Sequence, residues 1–281
     1  SWRAWTRKHR PLCSEMMNNR TKALFYDIDG TLLSEKTRRG PDSAKEALKQ
    51  AREKGHLVLI NTGRVYPHLT QIRSQVDADG FLCGCGTYLE IQGKKVLHHV
   101  IGRERRLELQ KSILAHDLDG ILEGPEGCAV QSQVSRLEEM ERVKELFIKS
   151  GVVRPWDWKK EAAEFDKFCV LADEKSDVDG FLRSLAPDMA YIDRGRGLYE
   201  CVPAGYDKAT AMEFILKYFR IPREESYAFG DSANDLAMIQ YAGHSVIMGQ
   251  HDRILEPYAS FITKNVEDDG IAFAFEKLKI V

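Results

Sequence analysis

Apolar and polar positions change period along this chain, and the changes divide it. Residues 23–26 and 56–60 are short continuous apolar runs, each followed by polar residues, as strands covered on both faces require. Between them Pro41-Asp42-Ser43 opens a helix that residues 44–51 continue and Gly55 closes, so a βαβ unit is predicted. A further helical segment leads to the strand Phe81-Leu82-Cys83. Beyond it the pattern turns to alternation: residues 87–91 and 95–100 flank Gln92-Gly93-Lys94, which predicts an antiparallel hairpin. Helices are expected over 103–116 and 135–149, with strands around Ile121, around Ala129, and at 165–172, 189–192 and 198–202. The first pattern then resumes, with a helix over 208–219, a strand at 227–230, a helix from Asn234, strands at 244–248 and 261–262, and a helix over 271–278. The simplest architecture is an α/β core with a parallel sheet, built from residues 21–86 and 197–281, interrupted by an α+β domain over 87–196. No internal repeat is visible.

With 281 residues, 43% hydrophobic and 30% charged, the chain can bury such a core and hold a second, smaller domain. A net charge of −2 gives no broad basic field to attract nucleic acid or an anionic membrane. No apolar stretch reaches the roughly 20 residues a membrane helix needs, so the cytoplasm is the expected location. Residues 1–20 carry two Trp and a basic cluster (Arg3, Arg7, Lys8, Arg10) without periodicity. They read as an extension outside the folded domain, with Met16 and Met17 as alternative starts; a basic docking tail is the competing reading. Six scattered cysteines, several inside apolar runs, are expected as buried free thiols, and Cys83-Gly84-Cys85 lacks the spacing of a redox or metal pair.

The chemistry gathers at strand ends. Asp27-Ile28-Asp29-Gly30-Thr31 puts two carboxylates two residues apart where an apolar run stops, and strand alternation would lean both toward one point. Three other D-x-D-G copies, starting at Asp77, Asp117 and Asp177, serve as internal controls; two read as turns and the third as a helix start. The strand at 56–60 ends in Asn61-Thr62-Gly63-Arg64, and that at 227–230 in Asp231-Ser232-Ala233-Asn234-Asp235. In an open parallel sheet these ends share one edge, where ligands bind. Such a carboxylate cluster needs a counter-charge, and a hard cation such as Mg²⁺ suits Asp27, a backbone carbonyl at Asp29, and Asp231, with Asp235 ligating directly or holding a metal-bound water. A carboxylate nucleophile beside Mg²⁺ implies a phosphoryl substrate. Lys208 opens a helix that can reach the same edge; a solvated helix-start lysine is the plainer reading.

In order, Asp27-Ile28-Asp29-Gly30-Thr31, Asn61-Thr62-Gly63-Arg64, Lys208 and Gly230-Asp231-Ser232-Ala233-Asn234-Asp235 resemble the four motifs of the haloacid dehalogenase (HAD) superfamily. The Cof-type phosphatases with a type IIB cap are the nearest match. The resemblance implies a Rossmann-like core, an inserted cap, and a two-step hydrolysis. In it Asp27 forms an aspartyl-phosphate, and Asp29 protonates the leaving alcohol and then activates water. It further implies that Gly30, Thr62, Gly63, Arg64, Lys208 and Asn234 surround the phosphoryl group, and that Asp27, Asp29, Asp231 and Asp235 form the Mg²⁺ site. Relatives often carry Asn-Gly where this chain has Cys85-Gly86, so any substrate contact that Asn makes in relatives is missing or altered here. In the inserted region Tyr199-Glu200 and Trp156-Asp157-Trp158 are weighed as substrate-facing against packing of the domain's own core, and packing is favoured. His98 and His99, on opposite strand faces, are not expected to share a metal. A phosphatase for a small phosphorylated metabolite, such as a sugar phosphate, leads; a phosphomutase using the same aspartyl-phosphate is second, and a non-catalytic phospho-sensor third. Oligomeric state and the particular substrate are not legible.

Overall fold

The computed structural model describes residues 21–281, so the expectations for the basic extension and for Cys13 lie outside the described residues. In chain order the elements are β1 (Ala23–Tyr26), α1 (Asp42–Glu53), β2 (Leu57–Asn61), α2 (Thr70–Gln75), β3 (Gly80–Cys83), β4 (Tyr88–Ile91) and β5 (Lys94–His98). There follow α3 (Arg103–Ala115), β6 (Asp119–Gly124), β7 (Gly127–Gln131), α4 (Glu138–Lys149), β8 (Val153–Trp156), β9 (Lys167–Leu171), α5 (Val178–Ser184), β10 (Met189–Asp193) and β11 (Leu198–Pro203). The chain ends with α6 (Lys208–Phe219), β12 (Ser226–Gly230), α7 (Leu236–Tyr241), β13 (His244–Ile247), β14 (Phe261–Ile262) and α8 (Gly270–Leu278).

Among the described residues the strands form two sheets. The first runs β14-β13-β12-β1-β2-β3-β4-β5, parallel from β14 through β3 and antiparallel across β4 and β5. Its faces follow from alternation in β1. Leu24 and Tyr26 pack with Ala47, Leu48 and Phe275 of α1 and α8, whereas Ala23 and Phe25 pack with Met212, Ile215 and Ile239 of α6 and α7. Helices therefore cover both faces, which is why the strands read as unbroken apolar runs. The fold is α/β with a parallel-sheet core, as the sequence predicts.

The second sheet runs β10-β11-β9-β6-β7-β8 and packs α3 and α5 through Leu109, Ile113, Leu122, Phe168 and Phe181. Two boundaries differ from the sequence expectation. The hairpin β4-β5, expected in the inserted domain, pairs with β3 and extends the core sheet. Strand β11, expected in the core, lies between β10 and β9 in the second sheet. Alternation reports that a strand has two unlike faces but not which sheet it joins. Strand β8 was not foreseen; its Pro155 and its exposed Arg154 hid it, and it sits at the sheet edge, where Pro is tolerated. No described helix is long and apolar enough to cross a membrane.

Candidate active site

Strand order reverses around β1, whose neighbours are β2 on one side and β12 on the other. The crevice beyond the carboxyl ends of such strands is where ligands bind in open α/β sheets. Asp27 follows β1, Thr62 follows β2 and Asp231 follows β12, so topology alone brings the three expected clusters to one edge.

Lys208 is the centre of what gathers there. It is completely buried, and its ammonium lies 2.6 Å from Asp27 Oδ1 and 2.6 Å from Asp235 Oδ1, with Asn234 Oδ1 at 3.4 Å. A lysine at the first position of a helix opposes the helix dipole, so propensity does not explain it. The capping box of Asp207 and Thr210 fixes the start of α6 and hence where Lys208 points. Burial alone would depress the lysine, but the Asp235 and Asp27 carboxylates overcome it and raise the pKa above the ordinary value. The two carboxylates thus favour the charged form of Lys208, and its burial excludes the solvated reading.

Asp235 is equally fixed: one oxygen takes the Lys208 ammonium, and Oδ2 accepts the backbone amides of Asp231 at 2.9 Å and Ser232 at 3.0 Å. It shapes the turn that presents Asp231, whose Oδ1 accepts the Thr31 hydroxyl at 2.7 Å. Gly30, with φ at +81°, leaves room for this approach; a Cβ there would collide with the Asp231 carboxylate. Asp27, Asp231 and Asp235 each bring a carboxylate oxygen within 4.8 Å of the others. Burial raises Asp27 first, Lys208 pulls it back, and Asp235 adds to the rise. Burial and then Asp27 and Asp235 raise Asp231. One lysine does not neutralise three carboxylates, and a hard divalent cation with all-oxygen ligands fits what is left.

Asp29 departs from the expectation. Strand β1 ends at Tyr26, and the chain turns at once, with Leu32 and Leu33 both donating to the Ile28 carbonyl. Strand alternation therefore does not extend to position 29. Its carboxylate meets the Arg64 guanidinium, Nε to Oδ2 at 2.8 Å, and stays outside the group formed by Asp27, Asp231 and Asp235. Arg64, expected beside the phosphoryl group, is engaged by Asp29 and by the His68 carbonyl. Thr62 is buried at the edge, its hydroxyl accepting the Arg64 amide at 3.1 Å. Gly63 packs so closely against Glu200 and Asn234 that a side chain there would push on both.

A buried ionic network between the two sheets was missed by sequence reasoning. Lys167 of β9 donates to the Gly63 carbonyl at 3.0 Å and to Glu200 at 2.7 Å, and lies 3.0 Å from Glu123. Glu200 of β11 also meets Arg194 at 3.1 Å and the Asn234 amide at 3.4 Å. Cys85, in a left-handed conformation with φ at 55°, donates to Glu200 at 3.2 Å. Of the residues weighed in the inserted region, Trp158 packs in the second sheet's core, whereas Glu200, beside the partly packed Tyr199, turns to the active edge. The available signal was Lys167 and Glu200 interrupting apolar strands. His98 meets Asp166 at 3.0 Å and His99 packs at a tilt against Tyr206, so the two side chains have separate partners.

Burial pushes Glu200 up, but Lys167 and then Arg194 overcome it and hold it well below the usual glutamate range. A depressed native pKa stabilises the fold above the unfolded value of about 4.3, and that stability is lost as pH falls through the native value. Glu200→Gln is expected to lower stability at neutral pH by about 1.5–3 kcal/mol. The gap from wild type should shrink on acidification, as read by urea unfolding at several pH values. A gap that does not change with pH would refute the ionic account.

A cleft of about 900 Å³ lies between the sheets, reaching Asp231 and Ser232 and lined by Glu35, Arg194, Gln250 and Asp252 among others. Its lining mixes these charged and polar groups with apolar side chains such as Ile121, Met140, Val143 and Leu171.

Comparison with known proteins agrees with this fold. The family described as haloacid dehalogenase-like hydrolase matches residues 24–275. The putative phosphatase YkrA of Bacillus subtilis is 25% identical over 270 residues, covering 93% of this chain and 99% of that protein. The 5-amino-6-(5-phospho-D-ribitylamino)uracil phosphatase YwtE of the same organism is 23% identical, with 92% and 98% covered. Among solved structures, BT1666 from Bacteroides thetaiotaomicron superposes with a TM-score of 0.81 at 25% identity, covering 96% of this chain and all of that one. The HAD subclass IIB sugar phosphatase BT4131 gives 0.79 at 26%, covering 93% and all.

Proposed function

The chain belongs to the haloacid dehalogenase-like hydrolase family, and from that premise we propose that it hydrolyses a small phosphorylated metabolite, such as a sugar phosphate, with Asp27 as nucleophile. That it is a phosphoric monoester hydrolase follows from its relatives. The observation that carries the mechanism is Lys208, buried and bridging Asp27 and Asp235.

Asp27 attacks phosphorus; its oxygen bonds to phosphorus as the bond to the leaving oxygen breaks, and Asp29 delivers a proton to that oxygen. Asp29 then takes a proton from water, which attacks the aspartyl-phosphate, releasing phosphate and restoring Asp27. Both transfers require Asp29 to leave the Arg64 fork, so Arg64 stores the carboxylate between turnovers. Lys208 and Thr62 hold phosphoryl oxygens as charge shifts onto them. Asp27 and Asp231 would hold Mg²⁺, with Asp235 behind them; when bound it neutralises phosphoryl charge that one lysine does not balance. Phosphatases of this superfamily generally use a divalent metal.

The second sheet with its helices serves as the cap that excludes water and selects the leaving group. The charged groups at the core side of the shared cleft, Glu35, Arg194, Asp231 and Asp252, suit a hydroxylated leaving group, and the sugar phosphatase BT4131 and YwtE support the same class. A panel of phosphorylated metabolites, read as released phosphate with Mg²⁺ present, chelated and restored, tests the whole reading. Activity is expected to vanish on chelation and return with Mg²⁺, and Asp231→Asn is expected to weaken Mg²⁺ binding in calorimetry by at least tenfold. Activity indifferent to chelation would refute the metal assignment.

A further inference from the structure

We propose that His68, Glu123 and Cys128 form a second metal site, separate from the aspartate cluster, that takes a divalent ion of zinc type and ties the two sheets together. Each residue brings a ligand atom, a ring nitrogen, a thiol sulfur and a carboxylate oxygen, within 4.8 Å of the others. His68 Nε2 lies 3.6 Å from Cys128 Sγ. Zinc bonds of about 2.0–2.1 Å to nitrogen and about 2.3 Å to sulfur, at a tetrahedral angle, put those two atoms about 3.5 Å apart, so the pair already stands at a coordination edge. A set of one sulfur, one nitrogen and one oxygen ligand favours a borderline-soft ion over Mg²⁺, and three protein ligands leave a fourth position for water.

The surroundings hold the ligands in place. Cys128 is buried against Val65, Val130 and Val153, and the His68 ring packs on Phe147 with centroids 5.9 Å apart. The His68 backbone is fixed on both sides, its amide donating to Val65 and its carbonyl accepting from Arg64. Glu123 Oε2 already faces the Lys167 ammonium at 3.0 Å and the Cys169 thiol at 3.4 Å. Lys167 keeps Glu200 and the Gly63 carbonyl when an ion draws on Glu123. On binding, the Cys128 thiol gives its proton to solvent and its sulfur bonds to the ion. Because His68 follows β2, while Glu123 and Cys128 lie on β6 and β7, the ion would cross-link the core to the second sheet.

The test titrates the full chain with Co²⁺ as optical probe, with Mg²⁺ in excess to occupy the aspartate cluster and no added thiols. One equivalent should give intense thiolate-to-cobalt absorption and the strong visible bands of four-coordinate cobalt, displaced by Zn²⁺. The near-isosteric Cys128→Ser should abolish the thiolate band. His68→Ala should weaken Co²⁺ binding by more than about tenfold, the loss that follows even when a ligand's supporting partner is removed. Absence of the band in wild type, its survival in Cys128→Ser, or Co²⁺ affinity unaffected by His68→Ala would each overturn the proposal.

Discussion

An Asp27→Asn variant is expected to release phosphate more slowly than wild type by about 10⁴-fold or more, the scale on which loss of a covalent nucleophile falls. The amide keeps the shape and burial of the side chain but has no charged oxygen to attack phosphorus. The fold is expected to survive. Lys208 loses one charged partner, keeps an amide oxygen there as acceptor and keeps Asp235, while repulsion among positions 27, 231 and 235 is relieved. Phosphate release from an aryl phosphate, with circular dichroism to verify folding, reads both outcomes. Wild-type turnover in this variant would remove Asp27 from the reaction.

Lys208→Met is expected to do two kinds of damage. Removing one member of a buried ion pair leaves its partners charged and uncompensated, at a cost of about 3–5 kcal/mol. Here the orphans are Asp27 and Asp235, with Asp231 close by. Turnover should fall by a further factor of about 10²–10³, as when a preorganised electrostatic group is removed from a transition state. Urea unfolding with and without Mg²⁺ separates the effects. The cation binds the native carboxylates and should restore part of the lost stability without restoring turnover. Stability unchanged by the substitution would mean that Lys208 does not neutralise the cluster.

What the sequence revealed depended on how local the determining physics is. The apolar runs of β1, β2 and β12 declared themselves because each is buried on both faces, and the polar residues just past them mark where burial stops. Lys208 was located by its helix, but its burial is set by Asp27 and Asp235, which stand 181 and 27 residues away in sequence. The turn of the Asp29 carboxylate to Arg64 is not legible from period-two alternation, because β1 ends at Tyr26 and the chain turns before position 29. Lys167 and Glu200 show in the sequence as charges inside apolar strands, but their meeting with Glu123 is not legible, because β9, β6 and β11 become neighbours through a strand order that no spacing encodes.

The bond from Lys167 to the Gly63 carbonyl reaches across from the second sheet to the backbone immediately after Thr62. In the proposed cap role, a displacement of that sheet would pull directly on the loop that carries Thr62, making closure over a guest and the set of the reacting groups mechanically one motion. A guest too bulky for the sheet to seat would enter and still escape intact. Discrimination between substrates in this enzyme should thus register as a slower catalytic rate at saturation more than as poorer capture.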